Sequence, residues 1–282
     1  MAFVIAGLWA NGLTTLLGDT DAPLAQRPPQ EVFSVDTSIS GGHAVTGSGS
    51  PAFDQSIEAT TLVAFERHSI GQGPVYWGMG LQADYYHLTG NSGFPIRRLQ
   101  DYAAQFSLEY FTGAEQVAEL SLRPGLYFQS KATRSSWDIP IDLVTGIPIT
   151  NSFFGVVGFS TARFYANPVP VAGFVWVVNS TTRFEAVFPE PSLVLKLGRD
   201  TEARLTGELT GGGFRTDPGS MGSSVEYFSY RVGGAFSRPL GKGFKITCGA
   251  GCEVLRKFTF RGGPSLRSNG APYAKLAIEY TR

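Results

Sequence analysis

From about Ala59 onward, apolar and polar residues alternate with period two along stretches much longer than an ordinary strand. Val75 to His87 sets Val75, Trp77, Met79, Leu81, Ala83 and Tyr85 on one face against Gly78, Gly80, Gln82 and Asp84 on the other. Leu99 to Phe111 repeats the arrangement, with Tyr102, Ala104, Phe106, Leu108 and Tyr110 opposite Asp101, Gln105, Ser107 and Glu109. Gln116 to Lys131, Thr201 to Leu209 and Tyr273 to Tyr280 follow the same rule. Side chains of a strand point alternately to its two faces, so each segment presents one greasy face and one polar face. Clusters of glycine, asparagine and proline separate the segments, and a helical period is nearly absent.

Such alternation serves a soluble sandwich as well as a membrane barrel, and strand length separates the two. Sandwich strands run roughly 5 to 6 residues, whereas these segments run about 10 to 15, the length a tilted strand needs to cross a bilayer. The aromatics agree. Trp77 and Tyr85 bracket Met79, Leu81 and Ala83, and Tyr102 and Tyr110 bracket Ala104, Phe106 and Leu108. The members of each pair stand roughly 26 Å apart along the strand, near the spacing of two aromatic girdles once tilt is allowed for. The expectation is an all-β, antiparallel transmembrane β-barrel.

Composition narrows the partners. Charged residues are 16% of the chain and aromatics 13%, so a well-charged aqueous surface is missing. Lys plus Arg and Asp plus Glu both total 23, and no basic stripe stands out, which excludes a nucleic-acid footprint. Mean hydropathy is close to zero, and no stretch reaches the ~18 apolar residues of a spanning helix. Membrane lipids are therefore met by strands. Cys248 and Cys252 on one strand stand roughly 13 Å apart, beyond disulfide reach, and read as small apolar residues on one face.

Three regions follow. Residues 1–26 carry an apolar start with the outline of an atypical targeting or signal segment, although no Lys or Arg precedes Arg27. Residues 27–58 form a leader rich in Pro, Gly and Ser, with Glu31 to Ser40 a possible first strand, and residues 59–282 form the barrel. Short turns on the periplasmic side alternate with longer loops outside. Placing the long connections Leu88 to Arg98, Gly211 to Ser224 and Lys257 to Ala271 outside requires Trp137 to Ile149 to be a strand. It also splits Thr182 to Leu197 at Pro189-Glu190-Pro191. The result is twelve strands from Val75 onward, within a range of ten to fourteen.

Several motifs resemble an uncharacterised family of bacterial outer-membrane-type β-barrel proteins. They are Ala118 to Tyr127 with its Arg123-Pro124-Gly125 core, Pro170 to Trp176, Thr182-Arg183-Phe184-Glu185 leading to Phe188-Pro189-Glu190-Pro191, and Gly207-Glu208 followed by Gly211-Gly212-Gly213. The likeness covers roughly Ala59 to Arg282. It implies a barrel in the bacterial outer membrane and brings neither substrate nor catalytic residues. Outer-membrane barrels often end on an aromatic residue, whereas this sequence ends Tyr280-Thr281-Arg282.

Tests for chemistry give little. Gly78-Met79-Gly80-Leu81-Gln82-Ala83 matches a dinucleotide fingerprint on paper, but that motif must turn into a helix and here lies inside an alternating strand. His43, His68 and His87 are the only histidines, and no Gly-x-Ser-x-Gly elbow accompanies them. No cofactor, metal or enzymatic step is expected, and a barrel lipid hydrolase using His87 ranks third among readings. The polar face carries the functional expectation. Asp101, Gln105, Glu109, Glu119, Arg123, Arg183, Glu185, Arg204, Glu208, Arg231, Lys245 and Glu253 are the candidates to line the lumen. Their signs are mixed, so they can pair across strands and fill a narrow interior. The leading reading is a passive small-solute channel, and the alternative is a structural or interaction barrel of the cell envelope.

Overall fold

In the computed structural model the described residues are 30–282, without 48–49, 71–72, 91–93, 113–114, 166, 199–200 and 269. The targeting segment expected at 1–26 lies outside them. Seventeen strand segments join edge to edge into fourteen wall strands that close an antiparallel barrel. β1 (Gln30–Gly47), β2 (Ser50–Ser69), β3 (Val75–Gly90) and β4 (Arg98–Thr112) are long and uninterrupted. The fifth wall strand breaks at Arg123-Pro124 into β5 (Glu115–Leu122) and β6 (Gly125–Phe128). The sixth breaks before Pro140 into β7 (Trp137–Asp138) and β8 (Ile141–Thr150). Proline has no N–H for the ladder, and the carbonyls of both prolines are instead taken by Ala104 N–H and Arg123 N–H at 3.0 Å.

Next come four short strands, β9 (Phe153–Thr161), β10 (Val169–Val177), β11 (Thr182–Phe188) and β12 (Ser192–Lys196). The wall then lengthens again through β13 (Glu202–Arg215), β14 (Ser224–Gly241) and β15 (Phe244–Phe260). It ends in β16 (Ser265–Ser268) and β17 (Ala271–Thr281). β17 pairs with β1 from Val32↔Thr281 to Ser40↔Tyr273, and this closes the cylinder.

The wall thus begins at Gln30, and the stretch expected to be mainly a leader supplies β1 and the start of β2. Serine, threonine and glycine stand on both faces of β1, which blurs its alternation in the sequence. From Val75 onward the twelve expected strands are all present, including the split at Pro189-Glu190-Pro191, and β1 and β2 raise the total to the top of the expected range.

β2, β4, β8, β10, β12 and β14 finish at one end, where β1 starts and β17 finishes. β1, β3, β6, β9, β11, β13 and β15 finish at the other. By the loop-length rule the first end is periplasmic and the second faces outside. Because β9 to β12 stop short, the upper part of β13 has no strand on one side. β6 reaches it directly, with Phe128 beside Arg215 and Gln129 N–H donating to the Arg215 carbonyl at 2.9 Å. Phe164 and Tyr165, just beyond β9, cover the remaining gap. Phe164 lies over Gly213, where a Cβ would collide with it, and the Tyr165 and Phe228 rings meet at 5.8 Å.

Candidate functional site

The period-two pattern decides what each side of the wall meets. Leu81, Tyr102, Phe106, Leu108, Tyr110, Leu205 and Leu276 stand exposed on the outside, Leu81 with 67% of its surface open. Tyr85 and Tyr102 mark the outer rim of this belt, and Trp77 and Tyr110 the periplasmic rim. Large apolar side chains outside and charges inside invert the order of a soluble protein, and only a hydrocarbon surround makes that arrangement stable.

Inside, the barrel has two tiers. Toward the outer end Val45, Ile57, Leu88, Leu99, Tyr127, Phe214, Tyr227, Phe258 and Leu266 form an apolar cluster. Phe94 and Ile96 of the connection 91–97 fold into it, the Phe94 and Phe258 rings at 5.1 Å. Gln129 ties this mouth together, donating to the Pro95 carbonyl at 2.9 Å and accepting from Ser220 at 3.0 Å.

Below this lies the charged tier. Asp101, Gln105, Glu109, Glu119, Arg123, Arg183, Glu185, Arg231 and Glu253 are all buried, while Arg204, Glu208 and Lys245 are partly exposed. Most are brought together in pairs. Arg123 Nη2 donates to Asp142 at 2.8 Å, joining β5 to β8. Arg67 reaches past β3 to Glu109 at 3.0 Å. Arg183 holds Glu185 at 2.6 Å, with Arg204 behind at 4.0 Å and Ser192 donating to the same carboxylate. Lys275 sits between Glu208 at 3.0 Å and Asp36 at 3.3 Å. Glu253 receives Arg256 at 2.6 Å and faces Arg231 at 3.6 Å. Arg231 in turn lies over the Tyr273 ring at 5.3 Å, and that ring fits only because Gly233 and Gly251 present no Cβ there. Lys245 is the outlier, set opposite Glu279 in register near the periplasmic end.

In the solved structures, this barrel is similar to the COG4313 outer membrane channel from Pseudomonas putida F1. The TM-score is 0.50 at 11% identity, over 94% of this chain and 98% of that one. The chain has the fold of an outer-membrane β-barrel. The Pseudomonas putida toluene transporter TodX matches at a TM-score of 0.38 and 8% identity, over 95% of this barrel and 93% of that chain. The beta domain of the Bordetella autotransporter BrkA matches at 0.39 and 12%, over 89% and 100%. No family model matches the barrel, and no curated protein sequence does either, so the family that its motifs resemble is not assigned.

Five charged partners in this tier stood outside the candidate set: Lys275 of β17, Arg256, Asp142, Asp36 and Arg67. Arg256 escapes notice because β15 carries a bulge: Tyr230 pairs with Leu255 while Arg231 pairs with Glu253, leaving Val254 extra. Val254 and Leu255 both face lipid, so Glu253 and Arg256, three apart, both face inward. Asp142 and Asp36 sit on strands with few other charges, and Arg67 on one whose polar face is mainly apolar. His87 lies on the outer face, stacked beside Tyr85 at 6.3 Å, and the cysteines are free and exposed on the outside of β15. Gly78 and Gly80 lie within β3, with the Phe65 ring filling the space their side chains would need.

Proposed function

We propose that the barrel is a passive channel of the bacterial outer membrane for small polar solutes, with a narrow, mixed-charge and mostly occluded lumen. Its charged tier leaves many polar atoms without a protein partner, and this observation carries the reading. Arg123 Nε and Nη1, Arg231 Nη2, Gln55 Nε2 and Oε1, Gln82 Oε1 and Gln105 Oε1 are buried and make no hydrogen bond. A dry, permanently sealed interior would leave each at a cost of roughly 1 to 3 kcal/mol, so water or a solute meets them. Ion pairs that neutralise both signs keep the path narrow, and the apolar tier with Phe94 and Ile96 restricts its outer mouth.

The ion pairs and the packed mouth also favour a second reading, a structural barrel that transports nothing. Planar-bilayer recording on the refolded protein separates the two. Small discrete steps are expected for the channel, and silence at all voltages would establish the structural barrel instead.

A further inference from the structure

Exposed cations crowd the end that the loop-length rule places outside: Arg98, Arg134, Arg163, Lys257, Arg261 and Arg267. No ion pair among the described residues includes any of the six. Their hydrogen bonds go to backbone carbonyls instead. Arg98 Nη2 donates to the Ser130 carbonyl at 3.3 Å, Arg163 Nη1 to that of Trp137 at 3.4 Å and Arg261 Nη2 to that of Arg163 at 3.1 Å. A carbonyl satisfies an N–H but leaves the charge whole. The carboxylates at this end do not offset them. Asp138 accepts from the backbone N–H groups of Ile139 and Arg163, Asp217 accepts from Ser130, Glu226 is buried, and Glu58 stands opposite His87.

Lys257 and Arg267 are the sharpest case. They stand directly opposite each other across β15 and β16, both exposed, and neither makes a hydrogen bond or ion pair among the described residues. Their other neighbours in register are Phe228 and Thr46, so no carboxylate stands beside either. Like charges directly opposite destabilise a strand pair unless an anion lies between them. Their position says which anion. Above the bulge in β15 the odd-numbered residues face lipid, so Leu255, Lys257, Thr259 and Arg261 climb one outer face. Leu255 ends the apolar run, and Lys257 stands about 7 Å further along the strand, where hydrocarbon gives way to headgroups. A cation on this face points away from the lumen, so a solute entering the mouth does not meet it. Arg binds phosphate through two N–H groups at once and Lys binds it as a point charge, and clusters of both at a membrane surface recognise anionic lipids. We propose that the outer rim at β15 and β16, centred on Lys257 and Arg267, docks the phosphorylated headgroup of an outer-leaflet lipid.

Binding, not conduction, tests this, so a failure here is distinct from a failure of the channel reading. The refolded barrel in detergent is titrated with bisphosphorylated lipid A, and retained lipid is counted by native mass spectrometry. The parent is expected to retain it, and to retain little of the same lipid stripped of its phosphates. Lys257→Gln/Arg267→Gln is expected to weaken binding about 30-fold, as the loss of two cations at a phosphate surface implies. Arg238→Gln removes an exposed cation near the periplasmic end of β14 and is expected to bind as the parent does. Compact migration in unheated SDS shows that each variant is folded, and Arg267→Gln alone, with a loss of about fivefold, replaces the double variant if that is not. Equal retention of phosphorylated and stripped lipid overturns the proposal, because apolar contact alone then holds it. Unchanged affinity in the folded double variant, or an equal loss in Arg238→Gln, overturns it as well. So does displacement of lipid A by an equimolar amount of inorganic phosphate, which would make the rim a site for a free anion.

Discussion

Arg123 shows how much one interior side chain can carry. It is fully buried, its ion pair with Asp142 joins two wall strands, and its backbone carbonyl accepts from the Tyr127 hydroxyl at 2.7 Å. Arg123→Ala strands the Asp142 carboxylate and is expected to cost about 3–5 kcal/mol if little water reaches it, measured by urea unfolding in vesicles. Removing both partners in Arg123→Ala/Asp142→Ala should cost less than the single change, because no buried charge is then left alone. A cost near zero for the single variant would mean a wet site. On the outer face the sign of the argument reverses. Leu81→Arg is expected to destabilise by about 2–4 kcal/mol near the midplane, while Leu240→Arg, beside the periplasmic turn, costs about 0–1 kcal/mol by the same assay. Period two made Glu119 and Arg123 legible as inward residues, because Leu120 and Leu122 lie between and beside them. Asp142 was not legible, since its importance comes from a neighbour 19 positions away.

The bulge in β15 marks the limit of pattern reading for whole strands. Below Val254 the even-numbered residues of β15 face lipid, and above it the odd-numbered ones do. Alternation read from sequence assumes an unbroken parity, and Val254-Leu255 offers two apolar residues in a row with nothing to say where the register slips. Deleting Val254 should remove the bulge and restore one parity throughout, with Leu255 still facing lipid and Arg256 still inside. The expected outcome is retention of the fast-migrating folded band in unheated SDS, and loss of that band would show that the bulge itself is needed. Breaks at Pro124 and Pro140 were harder to foresee than the split at Pro189-Glu190-Pro191. In the first two cases the wall resumes its direction, whereas in the third the chain reverses and the loop-length rule exposes it.

For the whole molecule, an apolar belt outside and a satisfied closed ladder predict partition into detergent and compact migration before heating. A monodisperse protein without detergent would contradict both. Conductance should rise in Phe94→Ser/Ile96→Ser, which withdraws two apolar side chains from the outer mouth and leaves the charged tier intact. Unchanged current in bilayer recordings would place the constriction elsewhere. Even count and lipid-facing residues could be deduced from the chain, while the cover formed by Phe164 and Tyr165 and the contact of Phe128 with Arg215 could not, since both depend on how short β9 to β12 are in space. The pairing of Val32 with Thr281 also governs the order of events in time. Closure joins nearly the two extremes of the described chain, so it must wait for the final strand, and contacts so distant along the sequence form slowly. Until then β1 and β17 are naked edges able to recruit any other strand, and hydrocarbon is closed to a sheet with unpaired edges. Insertion and closure are therefore one concerted event, and a chain lacking β17 is expected to aggregate rather than to form a smaller barrel.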